Sequence, residues 1–237
     1  VLRVTDRGCQ RPGRTVRRVI YEFRRYTLRP GRRDELIELF EREFVEPQEA
    51  AGMGVVGQFR DMDEPDVFCW MRKFPDMEAR RVALTAFYGG PVWREHRAAA
   101  NATMIDSDDV LLLRPAFPGD PLPAARRPPV GATEAPEARY VAHVWPVGAG
   151  FARFFADRVA PALASAGVPP VACFATEDAE NTFPALPVRT DERVFVWLAR
   201  LGGPAESCPA EPPGVGAWLT AAPRRFRLSP TPRSALR

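Results

Sequence analysis

The stretch VFCWMR at Val67–Arg72 returns as VFVWLAR at Val194–Arg200. Both copies are short, apolar, and rich in β-branched and aromatic residues, the composition of a buried strand. A strand written twice raises the question of whether its neighbours are also repeated, and working outward from each copy shows that they are.

Around the first copy, VIYEFRRYTL from Val19 reads as a strand stopped by Arg29-Pro30-Gly31. DELIELFEREF then places Leu36, Ile37, Phe40 and Phe44 at helical spacing. GVVGQFRD and VFCWMRKF form a hairpin across a short turn, and MEARRVALTAFY is helical. Gly89-Gly90-Pro91 breaks that helix before a second piece from Val92 to about Met104, with Pro91 suited to a first turn. Asp106-Ser107-Asp108-Asp109 leads into the strand VLLLRP. The order β-α-β-β-α-β is the ferredoxin-like unit.

Around the second copy, RYVAHVWP, GFARFFADRVAPALASA, PPVACFATE, ERVFVWLARL, GVGAWLTAAP and RRFRLSP repeat the order, with a shortened second helix. Between the two, Phe117 to Arg139 holds six prolines in 23 residues, a linker composition. The division is therefore a polar, Arg-rich arm at 1–18, a repeat at 19–116, a linker at 117–139, a second repeat at 140–230 and a tail at 231–237. Each repeat is a four-stranded sheet with helices on one face, and its bare face must be buried. Packing sheet against sheet predicts an α+β fold, an intramolecular pseudo-dimeric α/β barrel with helices outside. Self-association of the whole chain into a homodimer through exposed edge strands stays open.

Composition narrows the function classes. The 33 basic and 30 acidic residues of the 237 leave a net charge of +3, with Lys73 the one lysine. So balanced a surface lacks the field that nucleic acids or anionic membranes require. No window is long and apolar enough to span a bilayer, and VIYEFRRYTL carries charge where an export signal needs an apolar core, so a cytoplasmic address is expected. Cys9, Cys69, Cys173 and Cys208 are scattered, without the spacing of a zinc ribbon or a disulfide framework.

YEFRRYTLRPGRRDELIELF, the FYGGPVWREHRAAANATMIDSDDVLLL block and the KFPDM step between them resemble the NIPSNAP family over about residues 19–115. The second half is similar to it only through the repeated pattern. The resemblance implies a dimeric α/β barrel, a fold shared with antibiotic monooxygenases, EthD-like proteins and muconolactone isomerases. It implies no single activity.

Candidate site residues follow from strand alternation and helix spacing. On the first strand Glu22, Arg24 and Tyr26 share a face, either as a buried ion pair inside the barrel or as a polar patch with Arg24 as anion clamp. Phe68, Trp70 and Arg72 share a face of the third strand, as core or as ligand wall. His96 sits on a helical face with Trp93, Ala100 and Met104, and serves either as a general acid or base or as a corner hydrogen bond. Arg94 and Glu95 read as a solvated pair. Aligning Tyr26 with Trp145 puts His143 at the position of Arg24 and Val141 at that of Glu22, so the second half has dropped its charges. Asp106, Asp108 and Asp109 read as a solvated turn more readily than as a metal site, and no phosphate-loop, dinucleotide or nucleophile-elbow motif is present.

The reading that results is a cofactor-independent enzyme of specialised metabolism. It would carry out proton transfer, cyclisation or oxygenation on a small apolar, aromatic or polyketide-like molecule. His96 or His143 would move the proton, and Arg24 or Arg72 would hold developing negative charge. Glu22, Tyr26, Trp70, Trp93 and Trp145 would line the site. The alternative is a non-catalytic metabolite-binding or scaffold protein.

Overall fold

The computed structural model describes residues 19–202 and 212–237; the N-terminal arm, Cys9 and Cys208 lie outside them. In the first half the strands are β1 (Ile20–Leu28), β2 (Gly54–Asp61), β3 (Val67–Phe74) and β4 (Met104–Pro115). In the second they are β5 (Arg139–Pro146), β6 (Pro170–Thr176), β7 (Val194–Leu201) and β8 (Arg224–Pro230). They form one closed antiparallel barrel in the order β1-β3-β2-β8-β5-β7-β6-β4. The order β4-β1-β3-β2 of the first half therefore recurs as β8-β5-β7-β6. Two short seams join the halves, Phe59–Asp61 on Leu228–Pro230 and Leu113–Pro115 on Phe174–Thr176. Closure leaves the sheet no edge strand.

The helices lie outside. In the first half α1 (Arg33–Leu39) runs through a π-helical turn, Phe40–Phe44, into α2 (Val45–Ala50). After β3 come α3 (Met77–Tyr88) and α4 (Pro91–Thr103). Asp76 caps α3 by accepting from the Ala79 amide, and Pro91 opens α4 at a position where a missing N–H costs nothing. In the second half α5 (Phe151–Phe154), a π turn at Phe155–Val159 and α6 (Ala160–Ser165) repeat the first helix. The expected second helix is a three-residue 3₁₀ turn, Gly216–Trp218. The expected acidic turn at Asp106–Asp109 is part of β4, which bulges where it meets Thr27 and Leu28.

Strand alternation sorts the core into three bodies. Tyr21, Phe23, Cys69, Met71, Leu111 and Leu113 meet Tyr140, Ala142, Val144, Phe174, Val196 and Leu228 inside the barrel. The outward residues of β1 and β3 pack under α1 to α4, and those of β5 and β7 under α5 and α6. This corrects one expectation. Glu22, Arg24 and Tyr26 do not point into the barrel; they belong to the layer between sheet and helices.

The proline-rich segment and the C-terminal residues are both bound to the first half. Asp120 accepts from Tyr21 Oη and, at 2.6 Å, from Lys73 Nζ, and Arg127 donates to the Val55 carbonyl. Thr231, Arg233 and Ser234 are buried rather than forming a tail. Thr231 donates to Glu41 Oε1 at 2.5 Å, and Arg233 binds the Glu41 carbonyl and the Glu46 carboxylate. Gly57 makes room here, because a Cβ on it would fall 2.6 Å from the Phe59 ring and 3.3 Å from Leu236.

Candidate functional site

Two sites occupy equivalent layers. In the first half, Glu22 on β1 lies opposite Arg72 on β3, and Arg24 lies opposite Trp70. Arg24 Nη1 donates to Glu22 Oε2 at 2.8 Å and Arg72 Nε to the same oxygen at 2.7 Å. Arg80, from the inner face of α3, donates through Nε to Oε1 at 2.7 Å. All four side chains are buried. Burial alone would raise the Glu22 pKa, but Arg72, Arg24 and Arg80 together hold the carboxyl far below the ordinary range, so it is ionised.

The arginines have further partners. Arg24 Nε donates to Tyr26 Oη at 3.0 Å, Arg72 Nη1 to Gln48 Oε1 at 3.2 Å, and Arg80 Nη1 to Asn181 Oδ1 at 2.9 Å. Arg24 and Arg72 also stack within 5.5 and 5.1 Å of the Trp70 ring. Beside this cluster a cavity of about 30 Å³ is walled by Tyr26, Phe40, Phe44, Gln48, Trp70, Tyr88 and Trp93, among others.

The second-half layer has the same frame and different contents. Val141 opposes Ala199 where Glu22 opposes Arg72, and His143 opposes Trp197 where Arg24 opposes Trp70. The His143 ring stacks on Trp197 with centroids 4.4 Å apart and planes 1° from parallel. Burial, then the nearby Arg225, pushes its pKa down to about 4, so the imidazole is neutral at pH 7. A cavity of about 110 Å³ opens beside it, lined by Trp145, Leu163, Trp197, Pro212, Pro223, Arg224 and Arg225. Arg224 is tied to Glu192 and faces Asp109 at 3.6 Å. Arg225 is exposed and forms no ion pair among the described residues.

The other sequence candidates fall away from both sites. His96, expected to look towards the sheet, is on the outer helix layer, half-exposed, with Nε2 3.6 Å from Glu43 Oε2 and its ring 6.2 Å from that of Phe44. It lines neither cavity. Trp93 packs on Tyr88 and Phe44 and closes the first cavity. Asp109 faces Arg189 and Arg224, while Asp106 accepts from the Asp108 amide. Among the described residues no group of three or more His, Cys, Asp or Glu could hold a metal ion. Burial raises the thiol of Cys69 well above its usual range and that of Cys173 to about 12, which leaves both unreactive.

Residues 21–117 match the NIPSNAP family model. That span is the first half, the one holding the Glu22 cluster. Two solved structures share the fold over most of this chain. An anthrone oxidase-like protein is 13% identical with a TM-score of 0.56, covering 93% of this chain and 94% of that one. A protein from Lactobacillus acidophilus NCFM, named provisionally as a monooxygenase, is 11% identical with a TM-score of 0.50 over 90% and 94%. An uncharacterized NIPSNAP-like domain protein from Burkholderia xenovorans is 25% identical with a TM-score of 0.42, covering 47% of this chain and 97% of that one. A search of curated proteins finds no match. No helix of the described residues is long and apolar enough to cross a membrane.

Several site residues were missed in the sequence. Arg80 sits in the apolar stripe of α3 with Ala83, Leu84 and Phe87, and a charge on the buried face of an amphipathic helix was the signal. Trp197 opposes His143 on β5 as Trp70 opposes Arg24 on β1. Gln48, Asn181 and Arg225 carry no local mark.

Proposed function

We propose that this chain binds a flat aromatic, polyketide-like metabolite in the second-half cavity and acts on it as a cofactor-independent enzyme. The cavity carries the reading. Trp145 and Trp197 supply aromatic walls, the neutral His143 supplies a proton acceptor, and the exposed Arg225 supplies a positive charge at the rim. A phenolic or α-carbonyl proton would pass to the His143 imidazole, and the anion formed would lie between imidazolium and Arg225. That attraction offsets the weak basicity of a buried imidazole. The anion can then be reprotonated at another carbon, attack a carbonyl within the same molecule, or be oxidised by dioxygen. The anthrone oxidase-like neighbour supports an aromatic substrate by analogy of fold.

The repeated strand order supports a tandem ferredoxin-like duplication in which the second copy, freed of its buried charges, became the binding half. The Glu22 cluster supports a first half that takes no part in this reaction, since its carboxylate is fully engaged and its cavity of about 30 Å³ is too small for a polyketide-like substrate.

Native mass spectrometry of the purified chain, with quenching of tryptophan fluorescence by hydroxyanthracenes, tests this. The expected result is saturable binding weakened about tenfold or more in His143→Gln and Arg225→Gln. Binding unaffected by both changes would remove the cavity from consideration.

A further inference from the structure

The first half carries an unbalanced charge. Arg24, Arg72 and Arg80 are each nine-tenths or more buried, and each is paired with Glu22. Among the described residues no second carboxylate hydrogen-bonds or ion-pairs with any of the three. Three guanidinium cations against one carboxylate leave an excess of two positive charges within one layer. Arginine does not release its proton, so the excess cannot be discharged on the side chains themselves. Nor does Tyr26 supply the missing anion: burial raises its pKa despite Arg24, keeping it neutral.

The donors are also incompletely used. Arg80 Nη2 and Trp70 Nε1 are buried without a hydrogen-bond partner, and Arg72 Nη2 lies 2.7 Å from Glu22 Oε2 but off the hydrogen-bond line. Native proteins satisfy nearly all such groups, and charged ones above all. Two donors without a partner, Arg80 Nη2 and Trp70 Nε1, on a doubly positive cluster call for one kind of occupant. The adjoining cavity of about 30 Å³ sets its size; the arginines do not line it but reach it through Trp70 and through Tyr26 and Gln48, the hydrogen-bond partners of Arg24 and Arg72. The loop between β6 and β7 closes the site from the other half, with Asn181 on Arg80 and Phe183 against Tyr88.

We infer that the Arg24–Arg72–Arg80 cluster is a binding site for a small monovalent anion, a halide or the carboxylate head of an organic acid. This site is separate from the His143 cavity and does not depend on its assignment. The cluster is pre-organised by Glu22, which spaces the guanidiniums; they supply the positive field, while Trp70 on the cavity wall meets the guest.

The test is thermal unfolding of the whole chain after dialysis into a buffer with HEPES as the balancing anion at constant ionic strength. Chloride, bromide, formate and benzoate are then titrated separately. The expected result is a saturable rise in Tm of about 5–10 °C at a hundredfold excess over the Kd in at least one arm. Equal response to halide and formate assigns an inorganic-type ion, and response to the carboxylates alone assigns an organic acid; both sustain the site. Arg80→Gln, or Arg80→Lys should the glutamine variant not fold, raises the half-saturating concentration about tenfold or more. Trp70→Phe raises it less, and Arg225→Gln leaves it unchanged. Absence of a saturable effect in every arm overturns the proposal. So does an effect that survives both Arg80 changes or disappears in Arg225→Gln, which would place the ion in the second half.

Discussion

Two helix–sheet layers built on one strand order solve burial in opposite ways. Under α1 to α4, the positions on β1 and β3 carry Glu22, Arg24, Trp70 and Arg72, and a fifth polar group, Arg80, arrives from α3. Under α5 and α6, the matching positions carry Val141, His143, Trp197 and Ala199. The cavity beside the Glu22 cluster measures about 30 Å³, whereas the one beside His143 and Trp197 measures about 110 Å³. Among the described residues between β7 and β8 the one helical element is the 3₁₀ turn Gly216–Trp218, which carries no charged side chain. An apolar layer thus differs from a charged one in more than its electrostatics. The cavity beside it is the larger of the two, and Trp145 and Trp197 wall it.

The largest expected effect breaks the charged side of this contrast. Glu22→Leu strands three buried guanidiniums and is expected to cost at least about 3–5 kcal/mol, measured by denaturant unfolding. Adding Arg24→Leu should recover little, because Arg72 and Arg80 still face an empty position. Recovery to wild-type stability would mean that Arg24 alone depended on Glu22.

The next effect is pH dependence in the second layer. His143 has a folded pKa of about 4 against about 6.5 unfolded, so between these values the unfolded chain binds more protons. Its contribution is complete above about pH 6.5 and is lost as the pH falls towards 4, up to about 3 kcal/mol. His143→Gln should flatten that part of the stability profile. Refilling the cavity is milder: Leu163→Phe is expected to change stability by less than about 1.5 kcal/mol while weakening aromatic-ligand binding about tenfold in a fluorescence titration. Smallest of all is His96→Gln, at most about 0.5 kcal/mol with ligand binding unchanged, because its Glu43 contact is long and half-exposed.

Strand identity and order were legible in the residues because period-two alternation and turn chemistry are local. GVVGQFRD, VFCWMRKF and MEARRVALTAFY were bounded to the residue. The face assignment of Glu22 was also legible as alternation, but which face met the helices was not, since both faces of β1 carry aromatics and arginines. His96 was misplaced because Trp93 and Ala100 mark an inward stripe on α4, and His96 sits at its margin, over Phe44 and Glu43. The closing contacts of Asn181 and Arg233 span 101 and 192 residues, and no local pattern encodes a partner at that separation.

The seating of Thr231 and Arg233 on Glu41 and Glu46 has a temporal consequence. During synthesis the NIPSNAP-matching half emerges first, with its sheet face bare and β2 unpaired along Phe59–Asp61. The β8 strand that covers this seam, and the residues that hydrogen-bond Glu41 and pair with Glu46, leave the ribosome about 10–35 seconds later at ordinary elongation rates. Through that interval the early half has to be shielded or remain unlocked, and its final latch is the last part of the described chain to be made.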